Sequence, residues 1–125
     1  MDDRIRRALS RAHLIDVTTT GRSSGQPRRI ELTFHPIDGR VYLSGMPGRP
    51  RSWLANMRAD PHVTFHLKGP VQADLPAAAR ELTEPTERRA IMERVARNWG
   101  RDDVDFMMTN SPLVEILFGE DTAAA

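Results

Sequence analysis

Apolar and polar residues alternate with a period of two in several stretches of this chain, the pattern of strands with one face buried and one exposed. From Arg29 to Pro36, Ile30, Leu32 and Phe34 fall on one face, and Arg29, Glu31, Thr33 and His35 on the other. From His62 to Lys68, Val63, Phe65 and Leu67 share a face. His13 to Thr20 runs into β-branched residues, Ile15, Val17 and Thr18-Thr19-Thr20, which suit a pleated surface. Asp38-Gly39 is a hairpin signal, and Arg40 to Ser44 reads as the returning, antiparallel strand. A turn at Gly69-Pro70 leads into a further strand over Val71 to Leu82. Pro76, with no N–H for a ladder, predicts an edge or a bulge there.

Helical spacing appears between these stretches. Residues 2–12 predict a short amphipathic helix, with Asp2 and Asp3 at its positive end and Ile5 and Leu9 four apart. Arg51 to Ala59 predicts another, with Trp53 and Met57 four apart and Pro61 beyond its end. The clearest helix runs from Thr83 to Asn98, opened by Thr83-Glu84-Pro85 and carrying Ile91, Met92 and Val95. Asp102 to Met108 predicts one or two more helical turns, Leu113 to Phe118 an apolar closing segment, and Ala123-Ala124-Ala125 a frayed end. At least five strands interrupted by short helices make an α+β, mainly β chain, and favour a small antiparallel barrel over a doubly wound parallel sheet.

Composition narrows the setting without changing that picture. A chain of 125 residues, 39% hydrophobic and 28% charged, fits one soluble domain over 1–125. No run of about 18 apolar residues is present, so no membrane span is expected, and Met1-Asp2-Asp3-Arg4 does not open a secretory signal. The absence of cysteine excludes disulfides and thiolate metal sites, and a cytoplasmic location is the default expectation. Net charge is only +1, yet it is unevenly spread. Seven arginines lie between Arg22 and Arg58 against two acids, Glu31 and Asp38. Planar guanidinium groups suit phosphates and carboxylates, so an anionic ligand is expected near the first half. Nucleic acid is not, because paired aromatics for base stacking are missing.

Two loops carry the candidate chemistry. In Gly21 to Pro27 the glycines allow a tight turn that exposes backbone N–H groups. Ser23, Ser24 and Gln26 add polar side chains, and Arg22 and Arg28 add charge. This makes a phosphate cradle, or else a polar turn with solvated arginines. The second loop, Ser44-Gly45-Met46-Pro47-Gly48-Arg49-Pro50-Arg51-Ser52, feeds the helix that carries Trp53 and Asn56. Trp53 is read as packing or as a cofactor wall, and Asn56 as a cofactor ligand or the anchor of a loop carbonyl.

Thr18-Thr19-Thr20-Gly21-Arg22-Ser23-Ser24-Gly25-Gln26-Pro27-Arg28 resembles the signature of the deazaflavin-dependent nitroreductase family, in the flavin/deazaflavin oxidoreductase superfamily. The hairpin Asp38-Gly39-Arg40-Val41-Tyr42-Leu43 with its following glycine loop agrees in order and spacing. So does Trp53-Leu54-Ala55-Asn56-Met57-Arg58-Ala59-Asp60-Pro61. The resemblance covers residues 13 to 68. It implies a split β-barrel of the FMN-binding type, binding of coenzyme F-420 (a deazaflavin), and hydride transfer to a quinone, nitro compound or activated alkene. It also implies a homodimer. The cofactor contacts it implies are Arg22, Ser23, Ser24, Gln26, Arg28, Ser44, Gly45, Met46, Gly48, Arg51, Trp53 and Asn56.

The chain departs from that pattern in three places. Ser23 stands where a second cation is usual, and Met46-Pro47-Gly48 replaces a serine-lysine-glycine-glycine-like stretch, removing one backbone N–H. The C-terminal third lacks the family's pocket tyrosines; Tyr42 is the chain's one tyrosine. Trp99, Phe106, Met107 and Met108 either wall an apolar pocket instead or belong to the core. The alternatives kept beside the F-420 oxidoreductase are an FMN-dependent reductase and a non-catalytic cofactor or lipid carrier on the same barrel. No catalytic acid or base stands out, as expected where a cofactor does the chemistry. His35, His62 and His66 are the histidines weighed for a metal site, and none is assigned, because nothing in their spacing brings three ligands together. A hydrolase nucleophile elbow is absent.

Overall fold

The computed structural model describes residues 1–119; the expectation for Ala123–Ala125 lies outside them. Six strands close into one antiparallel barrel in the order β1-β2-β3-β6-β5-β4. These are β1 (Leu14–Thr20), β2 (Pro27–Ile37), β3 (Arg40–Ser44), β4 (His62–Leu67), β5 (Ala73–Glu81) and β6 (Leu113–Phe118). Four helices accompany them: α1 (Asp3–Leu9), α2 (Ser52–Ala59), α3 (Pro85–Asn98) and α4 (Val104–Asn110). The architecture is the small split-barrel, α+β type, and the closing apolar segment supplies the sixth strand.

The period-two pattern decides which side chains fill the barrel. Registers such as Phe34 opposite Leu43 and Val41 opposite Ile116 place alternate residues inward. Ile15, Val17, Phe34, Leu43, Val63, Phe65, Leu67 and Val114 form the buried interior, joined by Trp53 and Met57 of α2. Phe65 lies edge-to-face with Phe34 at 5.6 Å and with Phe118 at 5.3 Å. Such a ring contributes about 3–5 kcal/mol against truncation to alanine. The outward residues of β2 and β3 are covered on one side, where Ile37, Tyr42 and Leu113 pack on Met92, Val95 and Met107. Arg88 fastens this layer, donating to the carbonyls of Leu82 at 3.0 Å, Met108 at 3.0 Å and Ser111 at 2.6 Å.

The buried carboxylate of Glu115 accepts from Arg80 Nε at 3.2 Å and Nη2 at 2.7 Å, while Arg80 also grips Glu87. Arg80 is itself 39% exposed, and Arg40 Nε lies 3.7 Å from the other Glu115 oxygen, so the carboxylate is flanked by two cations.

Several bounds differ from the pattern-based expectation: α1 ends at Leu9, short of residue 12, α3 starts at Pro85, and β5 is confined to Ala73–Glu81. β2 begins at Pro27, opposite Thr20, because the ladder with β1 extends to the tip of the loop. α4 starts two residues later than expected; its N-cap, Asp103, makes no capping bond but pairs with Arg101. Pro76 lies within β5, which has neighbours on both sides, yet pairing with β6 starts only at Ala77 opposite Phe118. Pro76 is therefore at a local edge, and no bulge is needed there.

Candidate functional site

The loop between β1 and β2 is shaped by its own backbone. Gly21 N–H donates to the Gln26 carbonyl, and Gly25 N–H to the Gly21 carbonyl, both at 2.8 Å. Gly25 has φ +70°, which a glycine adopts without strain. Ser24 Oγ accepts from Gln26 N–H at 3.1 Å and from Arg28 Nη2 at 3.4 Å. A Cβ on Gly21 would stand 2.6 Å from Ser24 Oγ, so this position has no room for a larger residue.

Asn56 ties the loop to α2. Its Oδ1 accepts from Arg22 N–H at 3.0 Å, and its Nδ2 donates to Thr19 Oγ1 at 3.1 Å. Of the two readings of Asn56, the geometry shows the anchor. It holds a loop N–H, where the expectation was a carbonyl, and it is almost wholly buried.

Between this loop and α2 lies a cavity of about 380 Å³. Arg22, Ser23, Ser24 and Arg28 form its polar side, and Trp53 and Asn56 close it from α2. Those are six of the twelve residues expected from the sequence. Trp53 also belongs to the barrel core, so the packing reading holds for it, and its other side lines the cavity. The structure adds Thr19, Gly21, Arg29, Ile30 and Ser52 to the lining. Arg29 reads in sequence as an ordinary outward strand residue; its place beside Arg28, where β2 leaves the loop, was the available signal.

The cavity is strongly cationic. Arg22, Arg28 and Arg29 line it, and among the described residues no carboxylate does. Among the described residues the side chain of Arg22 has no partner, and that of Arg28 only the serine hydroxyl. α2 starts beside it without a side-chain cap, which leaves first-turn N–H groups to a ligand or solvent. Such a site suits a phosphate or carboxylate group.

The other expected residues lie elsewhere. Gln26 serves through its backbone and stands outside the lining. Ser44 Oγ donates to the Pro112 carbonyl at 2.7 Å, and Gly48 N–H to the Asn110 carbonyl at 3.1 Å. Arg51 folds back on its own loop, donating to the carbonyls of Arg49 at 2.9 Å and Met46 at 2.7 Å. Its guanidinium covers Gly45 so closely that a Cβ there would collide with it. Burial and the neighbouring Arg49 lower the Arg51 pKa from its ordinary value. Met46 is exposed, with its sulfur 3.5 Å from Arg101 Nη1.

In the C-terminal third, Met107 is fully buried, Trp99 and Met108 pack against the same cluster, and Phe106 is exposed. The core reading thus holds for the first three. The histidines are apart in role. His66 bonds Thr18 and Asp74, His62 bonds Asp60, and His35 lies against Trp99.

Comparison with known proteins fixes the family. The model of the family described as F420H(2)-dependent quinone reductase matches residues 2–117. The chain belongs to that family. It is an oxidoreductase of the F-420-dependent kind, and the match lends the FMN alternative no support. Solved structures agree on the fold. Rv2991 of Mycobacterium tuberculosis, a conserved hypothetical protein, superposes with a TM-score of 0.73 at 23% identity, over 94% of this chain and 80% of that one. An F420-H2 dependent reductase, FDR-A, gives 0.62 at 22% identity, over 82% and 92%. A chain described as a domain-swapped dimer gives 0.61 at 21% identity, over 91% and 94%. No helix among the described residues is long and apolar enough to cross a membrane.

Proposed function

We propose that the cavity between the 21–28 loop and α2 receives the anionic end of reduced F-420, and that the acceptor is a quinone. The observation that carries the reading is the cluster of three arginines on a cavity lined by no carboxylate among the described residues, beside an uncapped helix start. That donor set fits a cofactor bearing phosphate and carboxylate groups. The family's description supports the quinone as acceptor, ahead of nitro compounds or activated alkenes.

When bound, the cofactor supplies the hydride. Arg22 and Arg28 bind its anionic groups, with Ser23, Ser24 and the loop amides as neutral donors. Asn56 keeps the loop against α2, so these donors are in place before binding. Trp53 and Ile30 provide apolar surface that excludes water. No acid–base pair is required of the protein. The active species in this reading is a cytoplasmic homodimer, in keeping with the described domain-swapped dimer of the same fold.

The test is oxidation of reduced F-420 by the purified protein with a water-soluble quinone and a nitroaromatic in parallel. Turnover well above the spontaneous rate, and faster with the quinone, is expected. Tight binding without turnover of either would support the carrier alternative and end the enzymatic reading.

A further inference from the structure

Arg29 is held differently from its two neighbours in the cavity. Its Nε donates to Asp16 Oδ2 at 2.8 Å, which leaves both terminal Nη groups without a partner among the described residues. The other oxygen of Asp16 is not available to compete, because Lys68 Nζ lies 2.8 Å from it. Lys68 in turn pairs with Glu31 at 2.5 Å. Asp16 is largely covered, its side chain 16% exposed against 54% for Arg29. The strand register explains the geometry. Asp16 stands opposite Glu31, and Arg29 opposite Thr18, so Asp16 reaches its arginine diagonally across a rigid antiparallel ladder. Hydrogen bonds from Lys68 and then Arg29 lower the Asp16 pKa, which keeps it an anion at neutral pH.

A guanidinium fixed through Nε still offers its two-pronged end, the part that matches an oxyanion. We propose that Asp16 is a positioning residue that holds Arg29 as a third, pre-oriented cationic ligand of the cavity. The inference rests on the cavity being the F-420 site, and it assigns the grip on one anionic group to a pair of residues outside the 21–28 loop. It also makes a counterintuitive claim. Asp16 brings negative charge close to an anion site, yet it strengthens anion binding, because an ordered fork outweighs the repulsion.

That claim separates from a general field effect by sign. Asp16→Asn and Glu31→Gln each remove one negative charge from the same surface, but only Asp16 touches Arg29. In fluorescence titration with oxidised F-420, Asp16→Asn is expected to weaken binding roughly 5-fold, and Glu31→Gln to leave it unchanged or slightly tighter. Arg29→Lys, which keeps the charge without the fork, should lose about 10-fold, as much as Arg29→Ala. Adding Asp16→Asn to Arg29→Ala should cost nothing more, an outcome that a purely structural role for Asp16 would not give. Tighter binding by Asp16→Asn, or wild-type affinity in Arg29→Lys, overturns the proposal. Thermal melts check folding; if Asp16→Asn does not fold, Arg29→Lys and Glu31→Gln decide alone. Wild-type protein that fails to bind F-420 refutes the cofactor reading instead, and the same variants are then compared with pyrophosphate as the probe. Loss in Arg29→Lys and Asp16→Asn with that probe upholds the positioning role, and indifference ends it.

Discussion

Two loops of this protein are both rich in glycine, proline and arginine, and the fold uses them in opposite ways. In the loop over 21–28, Gly21, Ser24 and Gln26 satisfy one another, and Arg22 and Arg28 are left facing a cavity. In the loop over 45–51, Arg51 turns onto the loop's own carbonyls and covers Gly45, and Gly48 is tied to α4. An arginine that has found its carbonyls stabilises a loop; one whose loop is already complete without it is free to take a ligand. The number of arginines near a site therefore says less than where their donors already point.

The largest expected difference comes from charge. Removing Arg22 and Arg28 together should weaken F-420 binding about 100-fold or more, since charge-assisted hydrogen bonds contribute about 1.5–3 kcal/mol each. Arg51→Ala should change affinity by no more than about 3-fold while lowering the melting temperature, because the carbonyls of Met46 and Arg49 lose their donor. Raising the salt concentration should weaken binding of the wild type and have much less effect on the double variant. Isothermal titration at two ionic strengths, with thermal melts of the wild type and Arg51→Ala, checks all three statements.

Asn56→Ala tests the anchor on the open loop. It leaves the Arg22 N–H and the Thr19 hydroxyl without their partner, at a cost of about 1–3 kcal/mol. Both stability and F-420 affinity should fall, the second because the loop is no longer held to α2. Gly45→Ala is the matching test in the closed loop. It should displace the Arg51 guanidinium and cost about 1–2 kcal/mol of stability, with little change in cofactor affinity. Denaturant melts paired with titrations separate the two outcomes.

The smallest effect lies away from both loops. His35 is buried, accepts from Asn98 Nδ2 at 3.3 Å, and among the described residues has no hydrogen-bond partner for Nε2. Burial lowers its pKa below the ordinary 6.5. The unfolded chain therefore takes up the proton first as pH falls, and His35 contributes stability above pH 6.5 that is lost as pH drops toward the lowered value. A His35→Phe variant should show a flatter decline in melting temperature between neutral and mildly acidic pH. An unchanged decline would assign acid sensitivity to other groups.

Much of the barrel is legible in the sequence because its strands are half-buried. β1, β3 and β4 begin and end almost where the pattern predicts, and the hairpin at Asp38-Gly39 sets the direction of β3 against β2. Pro76 correctly marks a local edge, but that the edge comes from β6 stopping short at Ala77 is a non-local fact the sequence does not show. For the site, the first loop is legible because its shape comes from bonds within six residues of sequence. The second is not. Arg51 reads as a ligand by type and position, but its partners are fixed by how the loop folds back and docks on α4. Arg29 goes unread for the reverse reason: strand periodicity assigns it to solvent, and only the cavity that β2 and α2 line together gives it a place in the site.

The most direct measurement is a fluorescence titration of the purified protein with oxidised F-420, run side by side for the wild type, the Arg22→Ala/Arg28→Ala double variant and Arg51→Ala. The account predicts saturable binding to the wild type and Arg51→Ala, and its near loss in the double variant. Equal binding by all three, or a larger loss in Arg51→Ala, would contradict the placement of the cofactor's anionic end on the first loop.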